Sequence, residues 1–291
     1  MSGRPADAPA VPPSTRAGVA GHIVRTAIIM GLPFSIHLRP ADGRQDGPAD
    51  DVMDEAVEQV WRSLHRFDAV FSTYRPDSDI SRINRGELTV DAADPAVAEV
   101  LELAALATRI TDGAFDVRAT GTLDPSGIVK AWAASRAEQP LVDLGIDYYL
   151  NAGGDVVLRS RSPRRPWRIG IEHPHHPGGL LAVVQAPTGA VATSGRAHRG
   201  GHIHDPRTGR PATGIIQATV VGPSLLWSDI LATAVVAQGM TDAGIPGPNR
   251  HQWPPGHEVL LVTDRGELFG TPGLPGHLSP DVQQPTFAPL Q

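Results

Sequence analysis

The sequence predicts an α+β fold, on three observations. Segments rich in β-branched residues come in runs and do not alternate regularly with helices. Several other segments carry a helical apolar period, and no G-x-G-x-x-G turn opens a helix as a dinucleotide-binding parallel sheet requires. At 291 residues the chain can bury a sizeable core.

Residues 1–21 are dense in Pro and Ala and carry no apolar run long enough for a signal-peptide core or a membrane span. They read as a disordered leader on a cytoplasmic protein. Strands are expected at Ile23–Ile29 and Phe34–Leu38. From Asp50 to Phe67, residues Val52, Ala56, Val57, Val60, Trp61, Leu64 and Phe67 recur at three-and-four spacing behind an acidic first turn, which predicts an amphipathic helix. Pro95–Ile110 follows the same pattern, and a further helix is expected from Ser126 or Gly127, after a turn begun by Pro125 and capped by Ser126. Strands follow at Val156–Leu158 and Ala182–Gln185. Arg159, Arg161, Arg164 and Arg165 read as a solvated hairpin tip, and His173, His175 and His176 as a surface loop. Gln217–Val221 and Val259–Thr263 are the last expected strands. A helix over Ser228–Gln238 lies between them, entered through Ser228 and closed by Gly239. Residues 271–291 form a Pro/Gly-punctuated tail, which leaves 22–270 as one domain.

Composition excludes several chemistries. The chain has no cysteine, so thiol nucleophiles, disulfides and thiolate-bound metals are absent, and any metal sits on oxygen or imidazole. Its 31 acidic residues outnumber 25 basic ones, a balance that argues against nucleic acid or an anionic membrane as partner. Lys130 is the only lysine and precedes Ala131, so there is no Walker loop. Ser126 stands four residues before Lys130, one too many for an S-x-x-K nucleophile.

Three segments concentrate the chemistry. Asp229 and Thr233 lie four apart on an expected helix and present oxygens from one face, a pair suited to a hard cation such as Mg²⁺. GAFDVRATGTLDPSGIVKAWA gathers Asp116, Asp124 and Lys130 around a helix start whose backbone donors suit an anion. The plainer reading is a capped turn with a solvated lysine. In GGHIHDPRTGRPA, His202 and His204 share a face if extended, with Ile203 opposite, while Asp205 reads as a turn residue. Tyr74 could stack on a planar ring, although its pattern alone favours filling the core. NAGGDVVL reads as a tight turn before a strand, permitting close backbone approach.

In order, MGLPFSIHL, FSTYRPDSDISRIN, GAFDVRATG, DPSGIVKAW, NAGGDVVL, WRIGIEHP, AVATSG, HIHDPRTGRPA and SDILATA resemble the ApbE-type FAD:protein FMN transferase family, over roughly Met30 to Gly239. The likeness is to a short form lacking a long insertion between Phe115 and Lys130. It implies mixed, largely antiparallel sheets with flanking helices. It also implies Mg²⁺-dependent movement of the FMN half of FAD onto a Ser or Thr hydroxyl of a target flavoprotein, with AMP released. By that resemblance the metal ligands are the Gly127 carbonyl and the side chains of Asp229 and Thr233. FAD contacts come from Met30, Thr73, Tyr74, Ala114, Phe115, Asp116, Asp124, Lys130 and Ile203. His202 is the residue that assists transfer, with Asp116 or Asp124 as rival bases. Pro125, His204 and the pair Ala197-His198 depart from the family's usual residues. An FAD pyrophosphatase and a non-catalytic FAD-binding protein are the alternative readings.

Overall fold

Strand β1 (Arg16–Ala17) pairs with β2 (Ile23–Ile29), which turns through Met30 and Gly31 into β3 (Leu32–Arg39). Both turn residues have positive φ, 53° and 70°, as a two-residue hairpin of native twist requires. Glycine adopts that conformation freely; Met30 is held in it by the strand pairing on either side. The computed structural model describes residues 16–17, 22–41, 48–196, 203–239 and 253–290.

Next come α1 (Asp50–Phe71), α2 (Asp79–Asn84), α3 (Pro95–Ile110), α4 (Ser126–Ala137) and α5 (Gln139–Asp143). Helix α1 buries Met53, Ala56, Val57, Val60, Trp61, Leu64, Phe67 and Phe71, so the expected stripe runs one turn further than its apolar period suggested. Val52, counted in that stripe, is instead exposed. Helix α3 has the expected bounds: the Asp94 carboxylate accepts from Ala96 N–H and Pro95 opens the first turn. Helix α4 differs in its cap. Ser126 is its first residue and makes no cap; its N–H donates to Asp124 Oδ1 at 3.0 Å, so the aspartate closes this turn.

The chain then forms β4 (Asp147–Ala152), β5 (Asp155–Arg159), β6 (Trp167–Glu172), β7 (Leu180–Ala186) and β8 (Thr188–Gly195). The short pair β9 (His204–Asp205) and β10 (Arg210–Pro211) precedes β11 (Ile215–Gly222), α6 (Leu225–Gln238), β12 (Glu258–Thr263), β13 (Leu268–Gly270) and β14 (Ala288–Pro289). Ten strands make one sheet in the order β1-β2-β3-β4-β5-β8-β11-β12-β13-β14, and only the β13–β14 pair is parallel. The fold is therefore α+β with mostly antiparallel sheets. Strands β6 and β7 form a separate hairpin, and so do β9 and β10. The expected arginine-rich hairpin tip is absent, because β5 and β6 belong to different sheets. Residues 160–166 instead wrap the buried Asp147, which accepts from Arg161 N–H, Ser160 Oγ and Arg39 Nε.

One face of the large sheet packs on α1, α4 and α6, in a core that includes Phe34, Ile36, Leu64, Trp132, Leu150 and Ile230. The opposite face is covered by the β6–β7 hairpin, through Trp167, Ile171 and Val184 against Val156, Leu158 and Val221. Strand β11 is covered on both sides and is almost wholly buried, its polar Gln217 and Thr219 included. Helix α6 is buried nearly all round and begins one turn earlier than expected. Ser224, not Ser228, caps it by accepting from Trp227 N–H, while Ser228 is buried inside the helix. Gly239 ends it as expected, at φ 64°; a Cβ there would stand 2.3 Å from the Thr213 carbonyl oxygen, so only glycine fits. Residues 271–290 pack back onto the body, with Thr271, Leu274, Ser279 and Leu290 buried. Among the described residues no helix is long and apolar enough to cross a membrane.

Candidate functional site

An open cavity of about 1260 Å³ lies where α4 and α6 face the ends of β5, β8 and the β2–β3 hairpin. Drug-sized ligands occupy clefts of roughly 300–1,000 Å³, so this one has room for a dinucleotide. Met30, Thr73, Tyr74, Ala114, Phe115, Asp116, Asp124, Gly127, Lys130, Ile203, Asp229 and Thr233 all line it. His202 and Ala197-His198 lie outside the described residues.

Each wall has a local cause. The β2–β3 turn delivers Met30, and the end of α1 delivers Thr73 and Tyr74. Tyr74 is 96% exposed, which corrects the expectation that it fills the core: its ring stands at the mouth. Thr111 Oγ1 accepts from Phe115 N–H at 3.1 Å, bending the chain after α3 so that Ala114 to Asp116 reach the cavity. Gly127 belongs here for a packing reason, since a Cβ would meet the Phe115 ring at 3.3 Å. Asp116 and Asp124 each spend one carboxylate oxygen on a turn, accepting from Arg118 N–H and Ser126 N–H. Asp205 is likewise a turn residue, bonded to Arg207 through main chain and guanidinium.

Charge is concentrated at the back. Lys130 projects from α4 between two buried carboxylates: it pairs with Asp155 and lies 3.5 Å from Asp229 Oδ2. Burial, with the adjacent Asp155 carboxyl, raises the Asp229 carboxyl to about 7, and Lys130 opposes the shift. Thr233, one turn further along α6, shares a 2.8 Å hydrogen bond with Ser194 on β8. Nearer the mouth, burial raises the carboxyl of Asp68 against Arg75 and His65.

Two of these groups were missed in the sequence. Asp155 stands in a stretch that reads as a tight turn permitting close backbone approach, with no role for the aspartate; Gly153 and Gly154 do have positive φ, and the turn places the aspartate against Lys130. Ser194 carries no signal of its own, because its role depends on a helix 39 residues away in sequence. Tyr74 and Lys130 were picked out, but only the fold brings them to one cavity. The other expected surface features sit elsewhere: His173, His175 and His176 cluster at the β6–β7 turn.

The donor set fits a hard cation better than a transition metal. Among the described residues no three His, Cys, Asp or Glu side chains converge on one metal position. Mg²⁺ asks for little more than one or two carboxylate or hydroxyl oxygens, water and ligand phosphate. Asp229 Oδ2 is buried, with the Lys130 ammonium no closer than 3.5 Å and the Asp155 carboxyl against it, an arrangement that a divalent cation would relieve. The described lining holds Asp68, Asp116, Asp124, Asp205 and Asp229 against the single cation Lys130, so a polyanionic ligand needs further positive charge here.

A family model described as the ApbE family matches residues 30–122 and 118–245. A curated FAD:protein FMN transferase of Rhodobacter capsulatus is 34% identical over 204 residues, covering 64% of this chain and 37% of the relative. One of Vibrio cholerae is 30% identical over 159 residues, covering 50% and 46%. The chain thus spans less than half the length of these two relatives. The crystal structure of an ApbE protein from Thermotoga maritima superposes with a TM-score of 0.73 at 20% identity, covering 89% of this chain and 99% of that one, and so shares its fold. With the match running through every wall of the cavity, the chain belongs to the ApbE family.

Proposed function

We propose that this chain transfers the FMN portion of FAD to a Ser or Thr hydroxyl of a target flavoprotein, releases AMP, and depends on Mg²⁺. One observation carries the reading: a single dinucleotide-sized cavity collects every expected flavin and metal residue that the structure describes. The names of the relatives from Rhodobacter capsulatus and Vibrio cholerae support it.

In this reading Tyr74 and Phe115 offer apolar faces to the ring systems, and Lys130 faces the diphosphate. Asp229, Thr233 and the Gly127 carbonyl hold the cation. Bound there, Mg²⁺ supplies charge neutralisation at the diphosphate. The acceptor hydroxyl oxygen forms a bond to the FMN-side phosphorus, the bond from that phosphorus to the AMP oxygen breaks, and AMP leaves with the electron pair. Lys130 stabilises the negative charge that gathers on the leaving group. The hydroxyl proton passes to a base, which we assign to His202. Asp116 and Asp124 are weaker candidates because each is already engaged in a turn.

Incubation with FAD, Mg²⁺ and a candidate acceptor flavoprotein tests this. Covalent FMN on a Ser or Thr, with an equal amount of AMP, is the expected result. Free FMN and AMP without modified acceptor would identify a pyrophosphatase, and intact bound FAD a binding protein.

A further inference from the structure

Asp155 opens β5 and is 1% exposed. Its orientation is fixed from the neighbouring strand β8: Oδ1 accepts from Thr193 N–H at 3.0 Å, and Thr193 is itself tied to β11, its hydroxyl sharing a 2.9 Å hydrogen bond with that of Thr219. The other oxygen, Oδ2, faces the Lys130 ammonium, and the Asp229 carboxyl lies against this side chain as well. A buried carboxylate in this position is sustained only by a cation, and Lys130 is the cation paired with it.

The same ammonium lies 3.5 Å from Asp229 Oδ2, so one positive charge serves two buried carboxylates. A divalent cation on Asp229 changes that balance, because it claims the carboxylate and repels the lysine. We propose that Asp155 is a positioning residue that keeps the Lys130 ammonium in the site when a divalent cation takes over Asp229. This rests on the reading of Asp229 as a cation ligand. Asp155 offers the lysine a counter-ion that the cation does not need, held rigidly by strand hydrogen bonds. Without it, a lysine displaced from Asp229 by the metal has no second counter-ion and is expelled toward solvent.

Because Lys130 is the only lysine in the chain, labelling with [¹⁵N]lysine reports a single side-chain ammonium by NMR. In the full-length wild type, the Nζ resonance should persist with slow hydrogen exchange both without Mg²⁺ and at saturating Mg²⁺. Asp155→Asn keeps an oxygen for Thr193 N–H while removing the charge. Its metal-free form should retain the resonance through Asp229, which also shows that the site is folded. Adding Mg²⁺ to the variant should then accelerate exchange by at least about ten-fold, the loss of a charged hydrogen bond.

Loss of the wild-type resonance on adding Mg²⁺ would overturn the proposal, since it would mean that Asp155 follows the cation. That measurement needs no variant. A resonance in Asp155→Asn that persists with Mg²⁺ as in the wild type would overturn it as well, leaving Asp155 a purely structural group. A wild type that holds Lys130 through the titration yet transfers no FMN rejects the proposed function and supports the role of Asp155.

Discussion

Ser194 Oγ and Thr233 Oγ1 lie 2.8 Å apart, joining the end of β8 to the third turn of α6. A hydroxyl has one proton, and a threonine that donates it to a neighbour keeps its lone pairs for a cation. Ser194 is therefore placed to accept from Thr233 and orient it. Such outer partners typically change metal affinity by about 10–100-fold. Ser194→Ala should weaken Mg²⁺ binding at the lower end of that range, with little change in melting temperature. Titration calorimetry checks this, and an unchanged affinity would remove Ser194 from the site.

Asp229→Asn should separate stability from cation binding. The wild-type carboxyl is raised to about 7 by burial and by Asp155, so a neutral amide relieves an electrostatic cost. The variant should melt at or above the wild-type temperature without Mg²⁺ and gain nothing when Mg²⁺ is added. The wild type should gain stability with cation concentration as any ligand-binding protein does. A cation-dependent gain retained in the variant would move the metal elsewhere.

Tyr74 is 96% exposed and supports no core. Tyr74→Ala should leave unfolding free energy within about 0.5 kcal/mol of wild type. It should weaken FAD binding about ten-fold, the scale of one lost aromatic stack. Flavin fluorescence titration and denaturant melts read the two effects independently, and unchanged FAD affinity would exclude the ring as a contact.

His37 gives stability a pH dependence remote from the cavity. Burial, then the neighbouring His22, lowers its imidazole to about 4, and its ring stacks on Tyr149 at 4.0 Å. The unfolded chain takes up this proton near the ordinary value of 6.5, while the folded chain resists it until about 4. The resulting stability is complete above 6.5 and is lost as pH falls toward 4. His37→Phe keeps a stacking ring and should flatten the decline between pH 7 and pH 5. An equally steep decline in denaturant midpoint would assign it to other groups.

Much of the fold was legible because some segments carry their own periodicity. Ile23–Ile29 and Pro95–Ile110 have the expected bounds, since β-branched content and an Asp-Pro cap are local signals. Strand β6 could have been read as well: Trp167 and Ile171 face the core, with exposed Arg168 and Gly170 between them and exposed Glu172 after them. Strand β8, TGAVATSG, could not. Its small residues have weak strand propensity, and it is a strand because β5 and β11 hydrogen-bond it on both sides. The start of α6 was misplaced because Ser224 and Ser228 are equivalent caps in isolation.

The sequence alone determined which chemical groups the chain has to offer, since the identity of an aspartate or the only lysine is a local fact. Tertiary structure decided their partners. Lys130 meets Asp155 across 25 residues, and Ser194 meets Thr233 across 39, through a sheet and helices that bury their charges together. Burial and proximity set the strength of such interactions, and both are properties of the packed chain that no single segment contains.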